Sequence, residues 1–177
     1  MSVKLLFILS SIAALSCCTR QIPNRVTPHE YAIYSEWTTT HFGKNAPEHL
    51  YFSSKTGVFD PLDVSCKTTL EKDGVKSSLM NQIHALGEAE YPLNFYAASN
   101  LQIPWSYKEV EIAPDLPLGT FHLITFSRVA FSRDHSQALF GYFDACAPGD
   151  CGHGGYIEGN KIHGKWSFRA VGCVILS

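Results

Sequence analysis

The stretch that decides the fold is residues 121–173, FHLITFSRVAFSRDHSQALFGYFDACAPGDCGHGGYIEGNKIHGKWSFRAVGC. Phe121, Leu123 and Thr125 alternate with His122, Ile124 and Phe126, the two-residue period of a strand with distinct faces. Ser132 to Ser136 is a polar turn. Gln137 to Ala145 is a second strand, with Ala138, Phe140 and Tyr142 opposite Leu139 and Phe143. Ala147-Pro148-Gly149-Asp150 has Pro-Gly turn chemistry. Tyr156 to Glu158 leads into a turn predicted over Gly159 to Gly164, and Lys165 to Val171 returns. Two adjacent antiparallel hairpins make a meander with one face free to receive helices.

Working outward, Thr27-Pro28-His29-Glu30 has the spacing of a capping box with proline at the first helical position. The helix is predicted to run to about Phe42 and stop at Gly43. Tyr31, Tyr34, Trp37, Thr38 and His41 share one face, with His41 at its rim. Leu50 to Ser53 has strand composition. Asp73 is placed to cap a second helix ending at Leu86, with Leu79, Met80, Ile83 and Leu86 as its apolar stripe. Tyr91 to Leu118 is broken by four prolines and forms a covering layer or binding loop, with a strand inside Trp105 to Ile112. The fold class expected is therefore α+β: an N-terminal amphipathic helix and a second short helix on a twisted antiparallel sheet ending in two hairpins.

With 177 residues, 45% of them hydrophobic and 17% charged, the chain suits a packed globule. Fourteen Lys and Arg against sixteen Asp and Glu give a net charge of −2, with no basic stripe to meet nucleic acid or an anionic membrane surface. The 12% aromatic share fits a β-rich core, since the aromatics follow strand alternation.

Met1 to Arg20 places Lys4 before an apolar run from Leu5 to Leu15. That run is too short to span a bilayer and has the length of a signal-peptide core. Cys17 and Cys18 follow small residues, an arrangement that resembles the lipidation box of bacterial lipoproteins; an ordinary cleaved signal is the alternative. The expected organisation is a signal peptide over 1–18, a tether over 19–26 and one α+β domain over 27–177. A lipid on Cys17 or Cys18 would be the only membrane contact. Export leaves Cys66, Cys146, Cys151 and Cys173, an even count that suggests two disulfides in an oxidising compartment. Cys146 and Cys151 can close across a four-residue turn, and parity then pairs Cys66 with Cys173. The rival is a metal site of Cys146, Cys151 and His153 with His163 or Asp150, which lacks a second well-spaced ligand pair.

Ser127-Arg128-Val129-Ala130-Phe131, Asp134, Ala138-Leu139, Cys146 with Cys151-Gly152-His153-Gly154, and Gly164-Lys165-Trp166 together resemble a widespread family of small exported bacterial proteins of uncharacterised function. Glu30 to Ser35 and Tyr91-Pro92-Leu93 are similar to that family as well. The resemblance implies export and this fold, with a shorter strand at Tyr156 to Glu158 than the family carries. It implies no catalytic residues.

Gly152-His153-Gly154-Gly155 precedes a strand and so does not cradle phosphate at a helix N-terminus; a β-bulge or flexibility accounts for its glycines. Arg128 is expected to clasp Asp134 across the turn, with anion recognition as the alternative. Ser127, His135 and Asp134 lack a nucleophile elbow, and a cysteine nucleophile needs a reduced thiol. The sequence shows no cofactor motif. Its best reading is an exported envelope lipoprotein or secreted domain that binds or supports a protein or small-molecule partner without catalysis. A possible ligand surface comprises Arg128, Asp144 and His153. The alternatives are a hydrolase or metal-dependent enzyme with its site in the Cys146–Gly155 loop, and an inhibitor or immunity-type protein.

Overall fold

The computed structural model describes residues 24–43, 50–94, 109–110, 121–147 and 152–176. Its elements are α1 (Pro28–Phe42), β1 (Leu50–Ser53), α2 (Val64–Lys72), α3 (Ser77–Leu86), β2 (Glu109–Val110), β3 (Phe121–Phe126), β4 (Ala130–Phe131), β5 (Gln137–Ala147), β6 (His153–Ile162) and β7 (Lys165–Leu176). The sheet runs β2-β1-β3-β5-β6-β7, and β4 pairs with β5 beyond the end of β3. The class is α+β, as expected. From β3 to β7 every pairing is antiparallel, whereas β1 lies parallel to both β2 and β3. The sheet is thus mostly antiparallel, and its parallel edge was not legible because four residues of strand composition carry no signal of direction.

Helices cover both faces, where the sequence suggested one. Strand alternation divides the core. Ala138, Phe140, Ile124, Phe126 and Ile157 pack with Ile33, Tyr34 and Trp37 of α1. Leu139, Tyr156 and Val171 pack with Cys66 and Leu70 of α2 and Leu79, Met80 and Ile83 of α3. The Tyr34 ring stacks on Phe126 at 4.5 Å, adding aromatic contact to buried area.

The capping box forms: Thr27 N–H donates to Glu30 Oε2 at 2.8 Å, and Glu30 N–H reaches Thr27 Oγ1 at 3.4 Å. The residues before the helix are not all tether, for Val26 is buried and the Arg25 carbonyl accepts from Arg128 at 3.0 Å. Asp73 does not cap α3. It is the C-cap of α2, a helix absent from the sequence reading, and its carboxylate accepts the Gly172 N–H at 2.6 Å. Helix α3 begins after Lys76 with no side-chain cap.

Strand β6 continues through the predicted Gly159–Gly164 turn as far as Ile162. The reversal needs only His163 and Gly164, at φ of 50° and 82°, the positive pair a two-residue hairpin turn requires. Gly159 is small for packing: a Cβ there would lie 3.1 Å from the Phe168 ring. The expected bulge is present as a register irregularity between Gly154 and Tyr156. Opposite it on β7 stands Cys173, at φ 77°, which forms a disulfide with Cys66 of α2 across a Cα separation of 4.8 Å.

Candidate functional site

Two buried carboxylates on the α1 face end in different surroundings. At the N-terminus of α1, Glu30 is 2% exposed. Arg128 Nε donates to its Oε1 at 2.7 Å and Nη2 to its Oε2 at 3.1 Å. Val129 N–H donates to Oε1 at 3.0 Å, and the guanidinium lies 4.5 Å from the Tyr91 ring centre. The arrangement continues into Ser127, whose carbonyl accepts the Tyr34 hydroxyl at 2.6 Å and whose Oγ accepts Gly141 N–H at 2.8 Å. Burial, with Glu30 close by, pushes the Tyr34 hydroxyl well above its ordinary value, so Tyr34 serves as a neutral donor.

Arg128 is therefore not the clasp of Asp134, nor part of a ligand surface. It is buried, and Glu30, 98 positions earlier, is its partner. Asp134 instead accepts from the Ser132 hydroxyl at 2.7 Å and the Ser136 hydroxyl at 2.8 Å. The short serine side chains satisfy the turn locally, which leaves the long guanidinium to reach α1.

At the C-terminal end of α1 the second carboxylate, Asp144 on β5, has a side chain only 3% exposed, and its partner is His122 on β3. His122 Nδ1 lies 2.9 Å from Oδ2 and 3.1 Å from Oδ1. A carboxylate can only accept, so Nδ1 carries the hydrogen that the two oxygens share. The His122 side chain is 31% exposed. His153 stands directly opposite Asp144 in the β5–β6 register, and its ring meets Tyr142 edge-on at 6.2 Å. His41 stacks on Trp37 at 4.6 Å and faces Tyr142 at 6.2 Å. Loss of water around His41 lowers its pKa against the opposing pull of Asp144. Burial and the Asp144 charge both raise Tyr142. At neutral pH His41 is thus a neutral imidazole and Tyr142 a neutral phenol.

Of the expected ligand surface, Asp144 and His153 come together, joined by His122, His41 and Tyr142. His122 carried a usable signal: it shares the core-facing parity of Ile124 and Phe126, as Asp144 shares that of Tyr142 and Phe140. A histidine and an aspartate on inward-facing positions of paired strands are natural partners, but only once the register is known.

The expected Cys146–Cys151 bridge lies outside the described residues, as do Cys17 and Cys18. Of Cys146 only the strand position is described, opposite His122. His153 and His163 lie at opposite ends of β6, about 30 Å apart at ~3.3 Å per residue, so His163 cannot join His153 on one metal ion. Among the described residues no group of three His, Cys, Asp or Glu side chains is placed to hold a metal ion. Cys66 is oxidised and Ser127 Oγ is buried in backbone contacts, so neither is a nucleophile. Among the described residues, no helix is long and apolar enough to cross a membrane. Protein-family models, curated proteins and solved structures yield no match to this chain.

Proposed function

We propose that this chain is an exported domain, secreted or held at the cell envelope by a lipid on Cys17 or Cys18, that acts as a non-catalytic binding or support module. The Cys66–Cys173 disulfide carries this reading. Disulfides persist in oxidising compartments and are rare where thiols are kept reduced. This bridge ties α2 to the last strand across 107 positions, the place of a structural staple. The likeness of the C-terminal pattern to small exported bacterial proteins points the same way. Fatty-acid labelling of the full chain, with Cys17→Ser and Cys18→Ser in turn, tests the anchor; one substitution should abolish the label. Non-reducing mass spectrometry tests the compartment. Mature protein in the cytoplasm with Cys66 and Cys173 reduced overturns the reading.

A hydrolase is the second reading, favoured by one observation: a carboxylate holding Nδ1 of a half-exposed histidine is the support a general base uses. The described residues put no nucleophile beside it, so such an enzyme would act through water. Hydrolysis lost in His122→Gln with folding intact would establish it.

A further inference from the structure

Strand β7 ends the sheet on one side. The two-residue turn at His163 and Gly164 makes Ile162 and Lys165 a hydrogen-bonded pair. Alternation then turns the N–H and C=O groups of Lys165, Ser167 and Arg169 toward β6, and those of Trp166, Phe168 and Ala170 outward. Two helix-borne carboxylates meet that outward row. Trp166 N–H donates to Glu36 Oε1 of α1 at 3.1 Å, and Gly172 N–H donates to Asp73 Oδ2 at the end of α2 at 2.6 Å. Between them, among the described residues, no hydrogen bond reaches the outward groups of Phe168 and Ala170. An edge with open N–H and C=O groups is a template for another strand.

We propose that Glu36 guards this edge against pairing with a second copy of the chain. The edge is self-complementary in one register. With a two-fold axis at Phe168, Trp166 pairs with the second copy's Ala170, and Phe168 pairs with its own counterpart. The outward N–H and C=O groups of all three residues are then used, about six hydrogen bonds across the junction. Ser167 stands opposite the second copy's Arg169, so no like charges meet, and Phe168 meets an aromatic ring. Moving the axis to Arg169 sets arginine against arginine and calls on the Gly172 N–H that Asp73 holds. In the favoured register Trp166 N–H must reach the second copy's Ala170 carbonyl, but Glu36 already takes that donor. Its carboxylate also sets an acceptor against the incoming carbonyl oxygen. One half-buried side chain on the flank of α1 therefore decides whether the edge can close. The proposal is independent of what the module binds.

Sedimentation equilibrium of the folded, oxidised protein between about 10 µM and 1 mM provides the test. Wild type should hold the monomer mass. Glu36→Ala, which puts the best helix former into α1, should rise toward twice that mass. Glu36→Gln keeps an acceptor for Trp166 N–H and should stay monomeric, which separates blocking from loss of charge. Adding Ala170→Pro to Glu36→Ala should restore the monomer, because the N–H that proline lacks points outward and the β6 ladder is kept. Amide exchange is the second measurement. In wild type Phe168 and Ala170 should exchange at least about tenfold faster than Trp166, and in Glu36→Ala all three should slow as concentration rises. Glu36→Ala that stays monomeric at about 1 mM overturns the proposal. So does equal association of Glu36→Gln, or a dimer whose Phe168 and Ala170 amides gain no protection. These outcomes leave the disulfide and lipid results untouched, so the guard can fail while the exported module stands.

Discussion

Replacing Glu30 with alanine should be among the most damaging single changes in the chain. The Glu30 carboxylate accepts four hydrogen bonds, from Arg128 Nε, Arg128 Nη2, Val129 N and Thr27 N. Arg128 and Glu30 side chains are both 2% exposed, so solvent does not replace the lost partner. Stranding a buried charge costs about 3–5 kcal/mol, and breaking the cap adds about 1 kcal/mol. The expected loss of about 4–6 kcal/mol is a large share of an ordinary domain's ~5–15 kcal/mol. It should lower the melting temperature by roughly 10–20 °C for a chain of this size. Urea denaturation of wild type, Glu30→Ala, Arg128→Met and the double variant separates pairing from desolvation. The double variant removes the orphan charge and should regain about 2 kcal/mol or more relative to the sum of the single losses. Thr27→Ala, which breaks the box but keeps the ion pair, should cost only about 1 kcal/mol. Strict additivity in the cycle, or a Glu30→Ala loss no larger than that of Thr27→Ala, refutes the reasoning.

Gly172→Ala should destabilise by about 1–3 kcal/mol, the cost of overpacking, because its Cβ would overlap the Thr69 side chain and approach Asp73 Oδ2 at 2.9 Å; Thr69→Ser, which removes the obstructing methyl, should recover much of that loss in calorimetry. The Cys66→Ala/Cys173→Ala variant should lose about 2–4 kcal/mol, below the ~4.7 kcal/mol that loop entropy allows for a loop of this length; an unchanged urea midpoint would show that the bridge constrains nothing. Asp134 is held by the Ser132 and Ser136 hydroxyls at about 2, below its ordinary 3.8. A depressed carboxylate lends support that is complete above its unfolded value and fades as pH falls through the folded one. The wild-type advantage over Asp134→Ala in denaturation midpoint should therefore be constant above about pH 5 and shrink toward pH 2; an advantage independent of pH across that window would assign the effect to something other than the carboxylate.

Local features were legible in the sequence and distant ones were not. Thr27 and Glu30 are three positions apart, and their box could be read from spacing alone. The second role of Glu30, holding Arg128, spans 98 positions and leaves no local trace, so Arg128 was assigned the nearest acid, Asp134. Helix α2 escaped notice because only Cys66 and Leu70 of its nine residues are buried, one turn apart and too few to make a stripe. Gly159 looked like a turn because a glycine that makes room for Phe168 has the same letter as one that supplies positive φ. The pairing of Cys66 with Cys173 followed from parity, and the structure joins them. Asp144 and His153 were picked out beside the cysteine loop, but His122 needed the β3–β5 register, which alternation alone does not supply.

The two ends of α1 show how the same device serves different ends. Each places a carboxylate on the inward face, where desolvation makes a lone charge expensive. At the N-terminal end the partner is a permanently charged arginine, itself 2% exposed, and the neighbouring backbone N–H groups point at the same oxygens. Both Glu30 oxygens are engaged, and the pair holds α1 against the end of β3. At the C-terminal end the partner is a histidine that keeps 31% of its side chain in solvent, with Nδ1 committed to the carboxylate. A purely structural pair would gain by closing, as the Glu30 pair does. A pair left partly open to solvent has the form of a site, and the exposure of the partner, more than the burial of the carboxylate, separates the two.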